Sequence, residues 1–137
     1  MSVLLFSSGM RKEEHQVRQI LRKLDQDVEV YRSVHRLSRR FEQPRGNICL
    51  MIFVVGSQDI LNHLLLMRGE IYNLPVALIL PDAGRETMLK GHKFYPRFIT
   101  FTGGDYSDLS LALQNMLRRE RINLNQGTGE VVKMDVV

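Results

Sequence analysis

The sequence has little of what disulfide-stabilised or membrane-spanning proteins need. Among 137 residues there is a single cysteine, Cys49, and no tryptophan. One cysteine can form neither an intramolecular disulfide nor a cysteine-based zinc site. No stretch approaches the roughly 20 apolar residues that span a bilayer, and the apolar run at the N-terminus is too short for a signal peptide. We therefore expect a cytoplasmic protein that does not contact a membrane.

The overall composition is that of an ordinary globular domain. Hydrophobic residues make up 44% of the chain and charged residues 25%, proportions that suit one domain of this length with one core. The net charge of +4 permits contact with nucleic acid but does not require it.

Short apolar runs alternate with amphipathic segments along the chain. Residues 48–55 are eight consecutive apolar residues rich in β-branched types, which is typical of a strand buried on both faces of a parallel sheet. Val17, Ile20, Leu21 and Leu24 recur at helical spacing. The predicted strands are residues 3–7, 28–33, 48–55, 74–80 and 98–102, and the predicted helices are residues 11–25, 34–43, 59–72, 85–93 and 107–121.

This alternation predicts the fold class. Strands that alternate with helices form parallel βαβ units with right-handed crossovers, and helices on both faces indicate an α/β protein with a doubly wound, five-stranded parallel sheet. We expect one domain over residues 1–121. Residues 122–137 contain Gly127 and Gly129, and we expect a C-terminal tail or a linker there.

The layout resembles the receiver domain of bacterial response regulators from residue 2 to about residue 121. The apolar strand that ends at Ser7 and Ser8 stands where receivers have paired acids. The run LPVALIL at 74–80 is similar to the fourth receiver strand, and ITFTG at 99–103 occupies the place of the fifth. The resemblance implies a flavodoxin-like, three-layer sandwich with strand order 2-1-3-4-5. Its site would lie at the carboxyl ends of strands 1 and 3.

The positions that carry phosphorylation in receivers are changed in this chain. A receiver needs a carboxylate nucleophile and a magnesium ion held by further carboxylates. The resemblance places the changed positions at Ser7, Ser8, Val54, Val55, Leu80 and Thr102. A valine side chain can neither attack phosphorus nor hold a hard cation. We therefore expect a degenerate receiver, or pseudoreceiver, that is not an enzyme, is not phosphorylated and uses no metal or other cofactor.

The first functional hypothesis is a protein-interaction module in bacterial signal transduction or regulation. The partner is not identified by the sequence. The resemblance implies a homodimer through the face formed by the fourth helix, the fifth strand and the fifth helix. Phe94, Tyr95, Phe98 and Phe101 near this face are suited to packing against a partner.

An alternative hypothesis is a small-ligand or nucleotide site along the carboxyl edge of the sheet. The candidate rim residues are Ser7, Ser8, Gly9, Gly56, Ser57, Asp82, Gly103 and Gly104. Glycines before a helix can expose N–H groups to an anion, although a two-glycine turn is a weak signal. Polar residues that precede helices are more typical of caps, and we expect that role for Ser8, Asp59, Asp82 and Asp105.

A further alternative is nucleic-acid contact through basic helices. The candidate basic patch comprises Arg11, Arg18, Arg22, Arg36, Arg39, Arg40, Arg118 and Arg119. The first and fifth helices share one face of a receiver-like sheet, so part of this set could meet phosphates or an acidic protein surface. Glu13, Glu14 and Glu120 interrupt the basic runs, which favours an ordinary solvated helix face.

Overall fold

The computed structural model describes residues 2–71 and 74–120 and contains one five-stranded sheet. Its strands are β1 (Ser2–Ser7), β2 (Asp27–Tyr31), β3 (Ile48–Val54), β4 (Val76–Leu80) and β5 (Phe98–Phe101). All neighbouring strands are parallel, in the order β2-β1-β3-β4-β5. The predicted fold class and strand order are therefore confirmed.

The helices of the described residues follow the predicted order with one difference. They are α1 (Arg11–Lys23), α2 (Val34–Phe41), α3 (Gln58–Leu66), α4 (Arg68–Ile71), α5 (Arg85–His92) and α6, which is described over residues 107–120. The predicted fourth and fifth helices are thus α5 and α6. None of the helices within residues 2–71 and 74–120 combines the length and the apolar character needed to cross a membrane.

The third predicted helix, residues 59–72, is wrong as a single element. α3 ends at Leu66, and the N–H of the next residue, Met67, bonds to the carbonyl of Leu64, only three residues back. This tighter turn separates α3 from the one-turn helix α4, which contains Gly69, a poor helix former. The end of that prediction and the predicted tail at residues 122–137 lie outside the described residues.

The core lies in two layers, one on each face of the sheet. Leu5, Ile52 and Val54 point towards α1 and α6. Leu4 and Phe53 point towards α2, α3 and α5. Each fully buried Leu, Ile or Val side chain contributes about 1.5–3 kcal/mol of burial free energy. The two faces together hold the carboxyl ends of β1, β3 and β4 side by side.

Cys49 lies near the start of β3 and is 7% exposed. Its thiol donates a hydrogen bond to the carbonyl oxygen of Ser2 on β1, with an Sγ–O distance of 3.3 Å. Burial raises the pKa of this thiol. The thiol is therefore part of the contact between two central strands.

Candidate functional site

The carboxyl ends of the central strands are lined by hydrocarbon. Ser7 on β1 is in register with Val54 on β3. Val54, Val55 and Leu80 are completely buried, and Ser7 is 1% exposed. The strand ends therefore present no carboxylate at the place where the receiver resemblance puts the nucleophile.

The turn after β1 closes over the end of β3. The Ser7 hydroxyl donates a hydrogen bond to the carbonyl oxygen of Met10 at 3.2 Å. Gly9 has a φ of +70°, a conformation that glycine adopts without strain, and it turns the chain so that Met10 approaches Gly56. A β-carbon added to Gly56 would lie only 2.7 Å from the Met10 sulfur. Met10 therefore covers the middle of the predicted rim.

Sequence reasoning missed Met10. The available signal was an apolar residue immediately after the Ser7-Ser8-Gly9 turn, at a place where a solvated loop would be polar. A methionine side chain is flexible and fills irregular spaces. These properties suit it to cover a strand end.

Three of the four predicted helix caps are wrong, and the first two are Ser8 and Asp59. α1 begins after Met10, whose side chain makes no capping hydrogen bond. Ser8 lies two residues before this cap position, because the turn at Gly9 separates it from the helix. At α3 the capping side chain is that of Ser57, which accepts a hydrogen bond from the N–H of Ile60 at 3.3 Å. Asp59 lies within the first turn instead.

The aspartates after β4 and β5 do hold backbone N–H groups. Asp105 accepts hydrogen bonds from the N–H and the hydroxyl of Ser107, both at 3.1 Å, so its predicted role at the start of α6 is confirmed. These bonds hold the pKa of the Asp105 carboxyl below its usual value. Asp82 instead accepts from the N–H of Gly84 at 2.8 Å. Because Gly84 is itself the cap residue of α5, Asp82 lies two residues before the cap position, and the helix cap predicted there is wrong.

The turn after β5 contains an unusual tyrosine. Gly103 has a φ of +92° and Tyr106 a φ of +60°, a conformation that costs a non-glycine residue energy. The Tyr106 side chain is 3% exposed, and its hydroxyl has no hydrogen-bond partner among the described residues. Burial raises the pKa of this phenol.

A polar cluster links α3 to α5 beside the rim. Gln58 donates a hydrogen bond from its side-chain amide to the hydroxyl of Thr87, which is 2% exposed. The ammonium group of Lys90 donates a hydrogen bond to the side-chain oxygen of Gln58 at 3.2 Å and forms a salt bridge with Glu86 at 3.0 Å. No local sequence pattern reveals this cluster, because Gln58 and Thr87 lie in different elements.

The structure divides the predicted basic patch among separate surfaces. Arg11, Arg18 and Arg22 line a cavity of about 420 Å³ on α1. Arg36, Arg39 and Arg40 line another of about 500 Å³ on α2. Arg118 lines a third, of about 280 Å³, with Leu24 and Gln26. Arg119 is exposed on α6.

Arg40 is held by the protein itself. Its Nε donates to a carboxylate oxygen of Glu29 at 2.9 Å, and its other nitrogens donate to the carbonyls of Pro44 and Arg45 at 2.9 and 3.0 Å. The bond from Arg40 lowers the pKa of Glu29. Arg40 therefore fixes the loop after α2 rather than offering its charge to solvent.

Comparisons with known proteins locate the fold. No family model matches this chain, and no curated protein has a significantly similar sequence. Solved structures do match. A response regulator receiver protein from Pseudoalteromonas atlantica aligns with a TM-score of 0.70 at 12% identity, covering 85% of this chain and 97% of that one. This chain has the receiver fold.

Two further solved structures agree. A CheY-like receiver domain protein from Methanospirillum hungatei JF-1 gives a TM-score of 0.71 at 13% identity, covering 90% of this chain and 98% of that one. A response regulator from Thermotoga maritima gives a TM-score of 0.68 at 13% identity, covering 86% of this chain and 98% of that one. At these identities the likeness concerns the fold.

The strand ends of this receiver fold do not fit a magnesium ion. Hard cations take carboxylate and other oxygen ligands. Val54 and Val55 have no side-chain oxygen, and the Ser7 hydroxyl is bonded to Met10. Within residues 2–71 and 74–120, no three or more His, Cys, Asp or Glu side chains are grouped so that they could hold a metal.

Proposed function

We propose that this chain is a receiver-like protein-interaction module that works in bacterial signal transduction or regulation without being phosphorylated. The buried hydrocarbon at the ends of β3 and β4, formed by Val54, Val55 and Leu80, is the observation that carries this proposal. An acyl phosphate needs a carboxylate nucleophile. A receiver fold without one can still transmit a signal by binding a partner through its surface.

The surface around β5 supports a homodimer. β5 is an edge strand, and edge strands carry unpaired backbone groups that favour association. On α5 and just after it, Leu89 is 58% exposed and Tyr95 is 79% exposed. On α6, at the other side of β5, Leu111 is 58% exposed. Exposed apolar residues around one edge are typical of an interaction surface.

Light scattering coupled to size exclusion tests the homodimer. At high micromolar concentration we expect the mass of a dimer for the unmodified protein, and the mass of a monomer for the double variant Leu89→Glu/Leu111→Glu. Leu66→Glu is the matched control, because Leu66 is 84% exposed but lies at the end of α3. A strict monomer for the unmodified protein would exclude this homodimer.

Mass spectrometry of the intact protein tests the absence of phosphorylation. After incubation with a small phosphodonor and magnesium, we expect no added phosphoryl group. A stable adduct on Asp59, the acid nearest in sequence to the end of β3, would contradict the proposal. A receiver domain that retains its acids serves as the positive control for the donor.

Tyr106 supports a second candidate function, small-ligand binding at the carboxyl edge. A buried hydroxyl without a partner is costly unless something bonds to it. A ligand that reached the edge would have to displace Met10. In a thermal-shift screen against flavins and nucleotides, this function predicts a larger response for Met10→Ala than for the unmodified protein. Arg119→Gln, a change at an exposed position of α6, would leave that response unaltered.

A further inference from the structure

Three arginines form a stripe along the outer face of α1. Arg11, Arg18 and Arg22 stand at positions i, i+7 and i+11, which lie on one side of a helix with 3.6 residues per turn. Arg32, from the turn between β2 and α2, joins them in lining the cavity of about 420 Å³. This group, Arg11, Arg18, Arg22 and Arg32, is called the α1 arginine cavity below.

Glu14 holds two of these guanidinium groups in place. Its side chain is 9% exposed and accepts hydrogen bonds from Nε and Nη2 of Arg32 at 3.0 and 2.7 Å. The Nη1 atom of Arg18 lies 3.6 Å from the same carboxylate. A guanidinium has five N–H donors, so the fork bonded to Glu14 leaves three on Arg32. The side chains of Arg32 and Arg18 remain 57% and 44% exposed.

The α1 arginine cavity keeps an excess of positive charge. Four arginines against Glu14, the one carboxylate that lines the cavity, leave three positive charges. No carboxylate of residues 2–71 and 74–120 lies within 4 Å of Arg11 or Arg22. Salt bridges among the described residues therefore do not account for this excess.

We propose that the α1 arginine cavity binds a small molecule that carries two or more phosphate groups. The planar guanidinium matches phosphate oxygens in pairs, and three net positive charges complement such an anion. The volume lies within the range of small-molecule sites. Among the lining residues, His15 carries the one ring and none is Phe, Tyr or Trp, which disfavours a single-stranded nucleic acid whose successive bases need stacking partners. This inference is independent of the proposed protein-interaction function.

Calorimetric titration with inorganic triphosphate and with ATP tests the site. We expect binding of both, and a loss of about tenfold or more for Arg18→Gln/Arg22→Gln, because charge-assisted hydrogen bonds are removed. Arg36→Gln/Arg39→Gln removes the same charge from α2 and is the matched control. It should leave the affinity within about twofold, since these residues line a different cavity.

Glu14→Gln separates a built site from general electrostatic attraction. The substitution makes the protein one charge more positive, so attraction alone predicts tighter binding. If Glu14 orients Arg32 and Arg18, binding becomes weaker. Arg32→Lys keeps the charge but loses the planar fork, and we expect weaker binding for it as well. Circular dichroism at the assay temperature establishes whether each variant is folded. If Glu14→Gln does not fold, the affinity of Arg32→Lys alone distinguishes a built site from general electrostatic attraction.

Each outcome bears on the proposal. Equal affinity for triphosphate and ATP would mean that the phosphates alone are recognised, whereas tighter ATP binding would mean that the nucleoside is also contacted. Either supports the site. No binding of either ligand would overturn it. So would equal weakening by the α1 and α2 double variants, because that describes a diffuse basic surface, as would binding only of nucleic acid in a strongly salt-dependent manner.

Discussion

The Met10 sulfur lies directly above Gly56, 2.7 Å from the position that a β-carbon would take there. A β-carbon at this position would force the Met10 thioether to shift. One residue on the turn after β1 and one just after β3 thus depend on each other, and together they cover the strand ends where a receiver with its acids would carry out phosphoryl transfer.

Replacing Met10 should destabilise the protein modestly. Met10 is half-buried and packs on the core layer shared with α1. Removing a fully buried methionine costs about 2–5 kcal/mol, so we expect Met10→Ala to lower the free energy of unfolding by about 1–2 kcal/mol. Urea denaturation measures this change.

Hydrogen exchange then distinguishes the cover from ordinary packing. In Met10→Ala the backbone amide of Val55, which donates to the carbonyl of Ile79 at 2.8 Å, should exchange faster. Met88→Ala is the control, because Met88 is also half-buried but packs on the opposite core layer. Unchanged exchange at Val55 in Met10→Ala would mean that Met10 does not shield the strand end.

Acidification should remove the contribution of Glu14 to stability. The hydrogen bond from Arg32, and then its charge, hold the pKa of Glu14 below its ordinary value of 4.5. The unfolded chain therefore binds this proton more readily than the folded one. The stabilisation is complete above the unfolded pKa and is lost as the pH falls through the lower, folded pKa.

Glu14→Gln should therefore be less stable than the unmodified protein near neutral pH, with the difference shrinking in acid. Urea denaturation at about pH 6 and about pH 3 measures the two differences. Glu13→Gln removes the same charge from the neighbouring position and should show a smaller difference near neutral pH. A difference for Glu14→Gln that grows on acidification would contradict the assignment.

A methyl group at Gly91 should destabilise α5 despite the better helix propensity of alanine. Its β-carbon would lie 3.0 Å from Leu80 Cδ1 and 3.5 Å from Leu78 Cδ1, and both leucines are fully buried. Overpacking costs about 1–3 kcal/mol, against a propensity gain of about 1 kcal/mol. We expect Gly91→Ala to lower the free energy of unfolding by about 1 kcal/mol.

Gly69 in α4 provides the control for this substitution. A β-carbon there meets no atom within 4 Å, so Gly69→Ala should stabilise the protein by about 0.5 kcal/mol. Equal effects at residues 69 and 91 in thermal denaturation would argue against the close approach of α5 to β4.

The hydroxyl of Thr87 should contribute to stability through its hydrogen bond with Gln58. Thr87→Val keeps the shape but removes the acceptor for the Gln58 amide at a buried position. The expected loss is about 1 kcal/mol. Thr100→Val, on β5 and half-buried, should change the melting temperature little, because that hydroxyl remains in reach of water.

The fold could be predicted from the sequence because its signals are local. The unbroken apolar run at 48–55 and the helical stripe on α1 each specify an element and its buried face. The errors in predicting helix caps arose where several neighbouring polar residues could each accept a hydrogen bond from the first turn. Ser8 and Asp59 are good caps by residue type, but the backbone direction at Gly9 and the position of Ser57 decide which side chain reaches the N–H groups.

The parts of the site that sequence reasoning missed depend on contacts between distant elements. Nothing in the residues around Met10 reveals that Gly56 lies beneath it, and nothing near Gln58 identifies Thr87 as its partner. The sequence shows which residues are basic but not how they are arranged on the surface. These residues line three separate cavities because of how β2, α1 and α2 pack together. The order of residues along the chain does not reveal that packing.

Because Cys49 on β3 is hydrogen-bonded to Ser2 on β1, the reactivity of its thiol reports on the separation of these two strands. Since Cys49 is the one thiol in the sequence and is 7% exposed, a thiol-reactive dye can label the protein only when β1 and β3 move apart. The labelling rate therefore measures how often β1 and β3 separate near the start of β3, and no engineered cysteine is needed.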